Sequence, residues 1–213
     1  MVEKIAAIVN TIPYPEEARS IKLDYSGPRW TPDHDVRAIL WLARGAPGGI
    51  LEIGCNTGRT TGDLAREFPH REIIAVDCSD TMASAALSVQ QRHEQPRAAD
   101  IGKLVKDMPN VRVFDCQSGK LLRKLINGDE VIKVPIGFVF IDGNHSYDGV
   151  KADTELAMEY LCAHDGGTVV WHDVYDDGPA WIGVKHYLEE EIAPHHPIRR
   201  IQGTWLATLK IPA

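Results

Sequence analysis

The chain has 213 residues, 44% of them hydrophobic and 25% charged, with a formal net charge of −7 at neutral pH. That size suits one α/β domain with terminal additions, whose core is large enough to need no disulfide or structural metal. The acidic balance excludes a global basic field for nucleic acid or an anionic membrane surface. No window approaches the roughly 18 to 20 apolar residues of a membrane span.

Residues 1 to about 31 carry Pro13, Pro15, Gly27 and Pro28 and read as an irregular cover segment. Residues 1 to 9 lack the continuous apolar stretch of a secretory leader. "TPDHDVRAILWLARG" then predicts a helix, with Thr31 as its N-cap, Pro32 in its first turn and Gly45 as its terminator. From residue 49 onward, short apolar runs alternate with amphipathic ones. The short runs are "GILEIGC" (49–55), "EIIAVDC" (72–78), "VRVFDCQ" (111–117), "IGFVFID" (136–142) and "GTVVWHD" (167–173). Their Val, Ile and Phe content predicts strands buried on both faces. Helices are expected over 59–68, 80–106, 118–127 and 146–162, the second broken in two at Pro96. In the last of these, Tyr147, Val150, Thr154, Ala157 and Leu161 form one face. Lys151 and Asp153 on the same helix read as a solvated face. A helix over about 179–192, stopped by Pro194 and Pro197, precedes two strand-like runs, "IRRIQG" and "TWLATLKI", that predict a hairpin. Strand–helix repetition of this kind means right-handed crossovers and a mostly parallel sheet covered on both sides.

Cys55, Cys78, Cys116 and Cys162 stand far apart with no Cys-x-x-Cys pair. They read as buried free thiols in a reducing cytoplasm, without a zinc site or a disulfide framework. The only basic cluster, His195, His196, Arg199 and Arg200, is too short to alter the partner reading.

Ligands of open parallel sheets sit at the carboxyl ends of the strands. "LEIGCNTGRTT" (51–61) is the first such turn. Dinucleotide binding wants Gly-x-Gly-x-x-Gly, but Asn56 and Arg59 occupy the second and third glycine positions, so a phosphate cradle is poorly made. Asn tolerates left-handed backbone, so the tight turn survives. Glu52 precedes Gly54 by two residues, where a carboxylate suits a cation and opposes a pyrophosphate. Asp77 ends the second strand, 19 residues after Gly58, and suits the two hydroxyls of a ribose. The ligand so described is a cationic nucleoside without phosphate, and S-adenosylmethionine (SAM) fits it.

Glu-x-Gly-x-Asn-x-Gly, followed by an acid ending the second strand, resembles the class I SAM-dependent methyltransferases over about residues 32 to 212. The resemblance implies a Rossmann-like α/β fold, a seven-stranded, mostly parallel sheet with helices on both faces and a C-terminal antiparallel hairpin. It divides the chain into a cover segment (1–31) and a methyltransferase domain (32–213). It implies that Glu52, Gly54, Asn56 and Gly58 pack against the methionine part of SAM. Asp77 would hold the ribose and Gln117 and Ser118 would lie at the adenine, with Cys78 and Asp142 also bordering the cofactor.

"FVFIDGNHSYDGVKADTELAMEYL" and "GGTVVWHDV" carry a second constellation, in which Asp142 and Asp173 end the fourth and fifth strands. If those strands are neighbours, roughly 4.8 Å apart, the carboxylates converge, with His145 and His172 close by in sequence. Like charges so placed need a cation or a proton between them. Carboxylate oxygens suit Mg²⁺ or Ca²⁺, and added imidazole moves the preference toward Mn²⁺, Fe²⁺ or Zn²⁺. Asp-Gly-x-His-x-Tyr and the later His-Asp resemble a branch of small bacterial methyltransferases related to metal-dependent O-methyltransferases of the catechol and macrolide types. By that resemblance Asp142 and Asp173 match metal-binding carboxylates. Val174 stands where the catechol type has Asn, leaving His145 or His172 to replace that ligand.

The expected activity is transfer of a methyl group from SAM to a hydroxyl of a small molecule, assisted by a divalent metal, Mg²⁺ or Mn²⁺. Asp142 and His145 are the expected catalytic residues. A metal-independent O- or N-methyltransferase with His145 as base is the alternative. A non-catalytic SAM-binding module would not need the convergent acids, and an NAD-dependent dehydrogenase is opposed by Asn56 and Arg59. Tyr14, Tyr25, Trp30, Tyr175 and Trp181 lie near the expected pocket mouth and would suit a flat or sugar-like acceptor. Relatives of this kind often dimerise, so a homodimer is one open state, although no apolar stripe marks an interface.

Overall fold

A computed structural model describes residues 10–23, 30–79, 97–128, 134–179 and 182–213. All five apolar runs are strands: β2 (Gly49–Ile53), β3 (Ile73–Asp77), β4 (Val111–Asp115), β5 (Ile136–Ile141) and β6 (Gly167–Trp171). The C-terminal hairpin is β7 (Arg199–Ile201) with β8 (Ala207–Ile211), and β1 (Asn10–Ile12) adds an edge. The sheet order is β1-β7-β8-β6-β5-β2-β3-β4, with β8 antiparallel to both of its neighbours and the other pairs parallel. The expected α/β architecture is present, with one strand more than expected. That strand comes from the presumed irregular N-terminal cover, where Thr11 pairs with Arg200.

Side chains alternate across the pleat. Leu51, Ile53, Ile74, Val139 and Ile141 pack on one face beneath α4 (Ser118–Asn127) and α5 (Tyr147–Ala163). Ile50, Ile73, Phe138 and Phe140 pack on the other, beneath α2 (Asp33–Arg44) and α3 (Arg59–Glu67). β4, on the sheet edge, is only half-buried. A short α1 (Glu16–Arg19) covers α2, and α6 (Val184–Tyr187) continues into wide π-helical turns over Leu188–Ile192. The helix expected from residue 179 therefore starts only at Val184. No helix among the described residues is long and apolar enough to cross a membrane.

Three expectations are corrected. Thr31 does not cap α2, which starts after Pro32 with no side-chain cap. The helix starts one residue later than expected, and the Thr31 hydroxyl donates to Asp142 Oδ2 at 3.3 Å. Residues 97–108 form successive tight turns where a helix was expected. Two of their amides are drawn to the glycine loop, Gly102 N donating to Asn56 O at 2.7 Å and Leu104 N to Thr57 O at 3.1 Å, while others close local turns such as Val105 N to Gly102 O. The first of the two helices expected around Pro96 falls on residues outside the described ones. Finally, of the four free cysteines only Cys55 is buried, because β3 and β4 deliver Cys78 and Cys116 to a cavity rim and Cys162 lies on the outer face of α5.

Candidate active site

At the carboxyl ends of β2, β3, β4, β5 and β6 lies a cavity of about 1350 Å³. Ligand sites for one molecule run to roughly 300–1,000 Å³, so this one has room for a cofactor and a second molecule. Glu52, Gly54, Asn56, Asp77, Cys78, Gln117 and Ser118 border it, as do Asp142, His145, His172 and Asp173. Gly58 does not. It sits beneath the loop at φ +89°, where a Cβ would come within 2.8 Å of Val105 Cγ2.

The loop is built as its residues predict. Asn56 takes φ +47°, and its amide donates to Asp77 Oδ2 at 2.7 Å. Asp77 Oδ1 accepts from Cys78 N, also at 2.7 Å, so the carboxylate is fixed by two amides while keeping lone pairs toward the cavity. Burial raises its pKa against these two bonds. Glu52, on the α2/α3 face of the sheet, accepts from Thr61 Oγ1 at 2.5 Å. Burial pushes its carboxyl up to about 8 against that bond, and the charges of Asp142, Asp77 and Asp63 push the same way.

Glu52 is therefore protonated in the folded protein at neutral pH and ionised in the unfolded chain. A raised folded-state pKa makes its contribution to stability full below about pH 4.5 and lost as pH rises to about 8. Glu52→Gln removes that dependence. Its stability relative to wild type should rise by on the order of 3–5 kcal/mol across this window and then level off. Urea unfolding of both proteins at pH 5, 7 and 9 measures the difference. A flat difference would show that Glu52 ionises in the fold as it does in water.

β5 and β6 are neighbours, with Ile141 opposite Trp171, so Asp142 and His172 leave the sheet side by side. Asp173 follows at φ +59°, a left-handed turn that returns its carboxylate to the same volume. His172 Nδ1 lies 3.2 Å from both Asp142 Oδ1 and Asp173 Oδ1. His145, from the loop before α5, places Nε2 at 3.0 Å from Asp173 Oδ2 and 3.4 Å from Asp142 Oδ1. All four residues singled out for this site are thus brought together. Burial opposes charge on each, yet the hydrogen-bonded pairing prevails. It holds His145 up at about 10 and His172 well above the ordinary imidazole range, and it holds Asp142 and Asp173 below theirs.

Asp142, His172 and Asp173 each offer one ligand atom, all within 4.8 Å of one another. Two carboxylates and an imidazole nitrogen fit a divalent cation such as Mg²⁺ or Mn²⁺. Val174 is buried, with its amide bonded to Trp205 O at 3.0 Å, and supplies no ligand.

Sequence reasoning missed several members of this site. Asp35, from α2, is fully buried and bonds His172. Its signal was an acid at Asp35, Ile39, Ala43 spacing, on the apolar face of the helix. Asp153, taken for a solvated residue, is buried on the cavity wall, accepts from Ser118 Oγ and is pushed by burial up to about 6. It too sits three and four residues from Val150 and Ala157. Lys151 reaches Glu155 and Glu191, at 3.8 and 3.7 Å. Of the aromatic residues, Trp30 (81% exposed) and Tyr175 stand at the mouth. Tyr14 packs away from it, donating to His34 O, and Tyr25 and Trp181 lie outside the described residues.

A family profile described as "Methyltransferase domain" matches residues 51–174. Malonyl-(acyl-carrier protein) O-methyltransferase of Halalkalibacterium halodurans is 35% identical over 75 residues, which span 34% of this chain and only 28% of that protein. The O-methyltransferase from Bacillus cereus in complex with SAH superposes with TM-score 0.56 at 18% identity, covering 92% of this chain and 86% of that one. SAH-bound methyltransferase PaMTH1 of Podospora anserina superposes with TM-score 0.57 at 15% identity, covering 93% and 86%. At these identities the two structures share its fold.

Proposed function

The chain belongs to the methyltransferase domain family matched over residues 51–174, and from that premise we propose that it transfers a methyl group from SAM to a hydroxyl of a small molecule with the help of a divalent cation. Residues 32–213 form the catalytic domain in this reading, with residues 1–31 as its cover. The observation that carries it is a single cavity walled on one side by the Glu52–Asn56 loop and Asp77, and on the other by Asp142, His145, His172 and Asp173.

Asp77 would hold the ribose hydroxyls and the Gln117–Ser118 corner the adenine. Glu52, buried beside Asp142 and Asp77, would face the cationic methionine end, whose charge favours the ionised carboxylate. Asp142, His172 and Asp173 would hold the cation, whose chemistry when bound is to orient the acceptor hydroxyl and lower its pKa. His145 stands beside both carboxylates at the cavity wall, and a cation held by them would offset the charge that keeps its proton, leaving the imidazole placed to take the acceptor's proton. Methyl transfer is an in-line displacement, so holding the oxygen about 3 Å from the methyl carbon supplies much of the rate. Trp30 and Tyr175 at the mouth suit a flat or sugar-like acceptor. The metal-free alternative is weaker, because an imidazole held at about 10 by two carboxylates keeps its proton at neutral pH.

Calorimetric titration with SAM, with and without Mn²⁺, tests this reading. SAM is expected to bind, and Asp77→Ala to weaken it by about 30- to 150-fold through two lost hydrogen bonds, each worth roughly 1–1.5 kcal/mol. Absence of SAM binding by the wild type would refute the proposal.

A further inference from the structure

We propose that Asp35 is a positioning residue for His172: it accepts the hydrogen bond from Nε2–H of the imidazole and so leaves Nδ1 as the nitrogen that ligates a cation held between Asp142 and Asp173. The inference rests on the cation reading of the site.

His172 lies between two sets of carboxylates. Nε2 is 3.2 Å from Asp35 Oδ2, and Nδ1 is 3.2 Å from Asp142 Oδ1 and from Asp173 Oδ1. A neutral imidazole carries one N–H, and the partner that binds it decides which nitrogen is left to ligate. Were the hydrogen on Nδ1, it would satisfy Asp142 or Asp173 and present a donor where a cation needs a lone pair. A carboxylate on the far nitrogen removes that option, the arrangement that orients metal-bound histidines in general.

Asp35 is built for a fixed orientation. Its side chain is fully buried on the sheet face of α2, next to Val36 and one turn from Ile39. The oxygen that faces His172 also accepts from Trp205 N at 3.2 Å, and the other oxygen lies 2.9 Å from His34 Nε2. The imidazole is gripped edge-on by Phe140 and Trp205, at centroid distances of 6.4 and 5.9 Å. Asp35 and Trp205 both fall outside the stretch matched by the family profile, 51–174. The flanks of this chain thus supply the support for a ligand inside that stretch.

Two measurements test the proposal on the full chain. The first needs no variant. In Mg²⁺-loaded wild type, the ¹⁵N shifts of His172 should show Nε2 protonated and Nδ1 without hydrogen. The second compares Mn²⁺ affinity in wild type and Asp35→Asn, which keeps the shape and one acceptor oxygen. The affinity should fall by about 10-fold, within the range typical for such outer partners, while SAM affinity stays unchanged. A merely structural Asp35 would lower the melting temperature and leave Mn²⁺ affinity and the ¹⁵N pattern as they are. That result overturns the proposal, and so does a hydrogen on Nδ1 in the loaded wild type. A wild type that binds SAM but no Mn²⁺ removes the cation reading together with this inference, and the wild-type titration alone distinguishes that case.

Discussion

Asp173→Asn is expected to weaken Mn²⁺ binding by about 100-fold and to slow transfer to any accepted hydroxyl by about 10²- to 10³-fold, while SAM binds as before. Asparagine is the informative substitution because residue 173 sits at φ +59°, a conformation that Asn and Asp adopt more readily than other side chains. The fold and the shape of the turn should survive, so what changes is charge. The amide no longer balances the two imidazoles that Asp173 faces, at 3.0 Å from His145 and 3.2 Å from His172. A cation in the cluster would lose one of two anionic ligands. Without any cation, the same variant should lower the pKa of His145, since burial opposes its charge and Asp173 is one of the two carboxylates that raise it to about 10. NMR titration of the histidine ring protons reads that shift, and Mn²⁺ titration reads the affinity. Unchanged Mn²⁺ affinity in the variant would show that Asp173 is a structural partner of the imidazoles and no cation ligand.

How far the site was legible follows from the range of the interactions that make it. Asp142 and Asp173 could be placed because strand ends are marked locally by apolar runs, and adjacent parallel strands bring their ends together. The loop Glu52–Gly58 could be read because glycine spacing reports backbone shape directly. Asp35 and Asp153 were passed over for one shared reason. A lone acid on a helix is ordinarily solvated, and only its phase against Ile39 or Val150 shows that it points inward. β1 escaped because its polar residues Asn10 and Thr11 take strand geometry only by pairing with β7, almost the whole chain away. Residues 97–108 misled because helix propensity is a local quantity. Two of their amides, those of Gly102 and Leu104, answer instead to the carbonyls of Asn56 and Thr57, about 46 residues earlier in the chain.

Gly54→Ala is expected to be the most damaging single-methyl change at the site. Glycine at this position has φ +90°, and a Cβ there would fall 2.0 Å from the carbonyl oxygen of Asp142 and 2.7 Å from Gly143 Cα. Those are backbone atoms, so no side chain can turn aside to make room. The loop is tied down as well, with Gly54 N donating to Val76 O and Asp142 N to Ile53 O, both at 2.8 Å. Relief therefore requires β2 and the Asp142–Gly143 turn to move apart. Gly203→Ala separates the two contributions, because Gly203 has φ +75° with nothing within 4 Å of its Cβ position. It should lose about 1–2 kcal/mol from the left-handed backbone alone, whereas Gly54→Ala should lose about 4 kcal/mol or more in urea unfolding. Equal losses would mean that the strand ends yield freely. If they yield only at that cost, any folded Gly54→Ala protein should bind both SAM and Mn²⁺ weakly. A methyl group on the Glu52–Asn56 loop would then have displaced the main chain of Asp142, making the two halves of the cavity one mechanical unit.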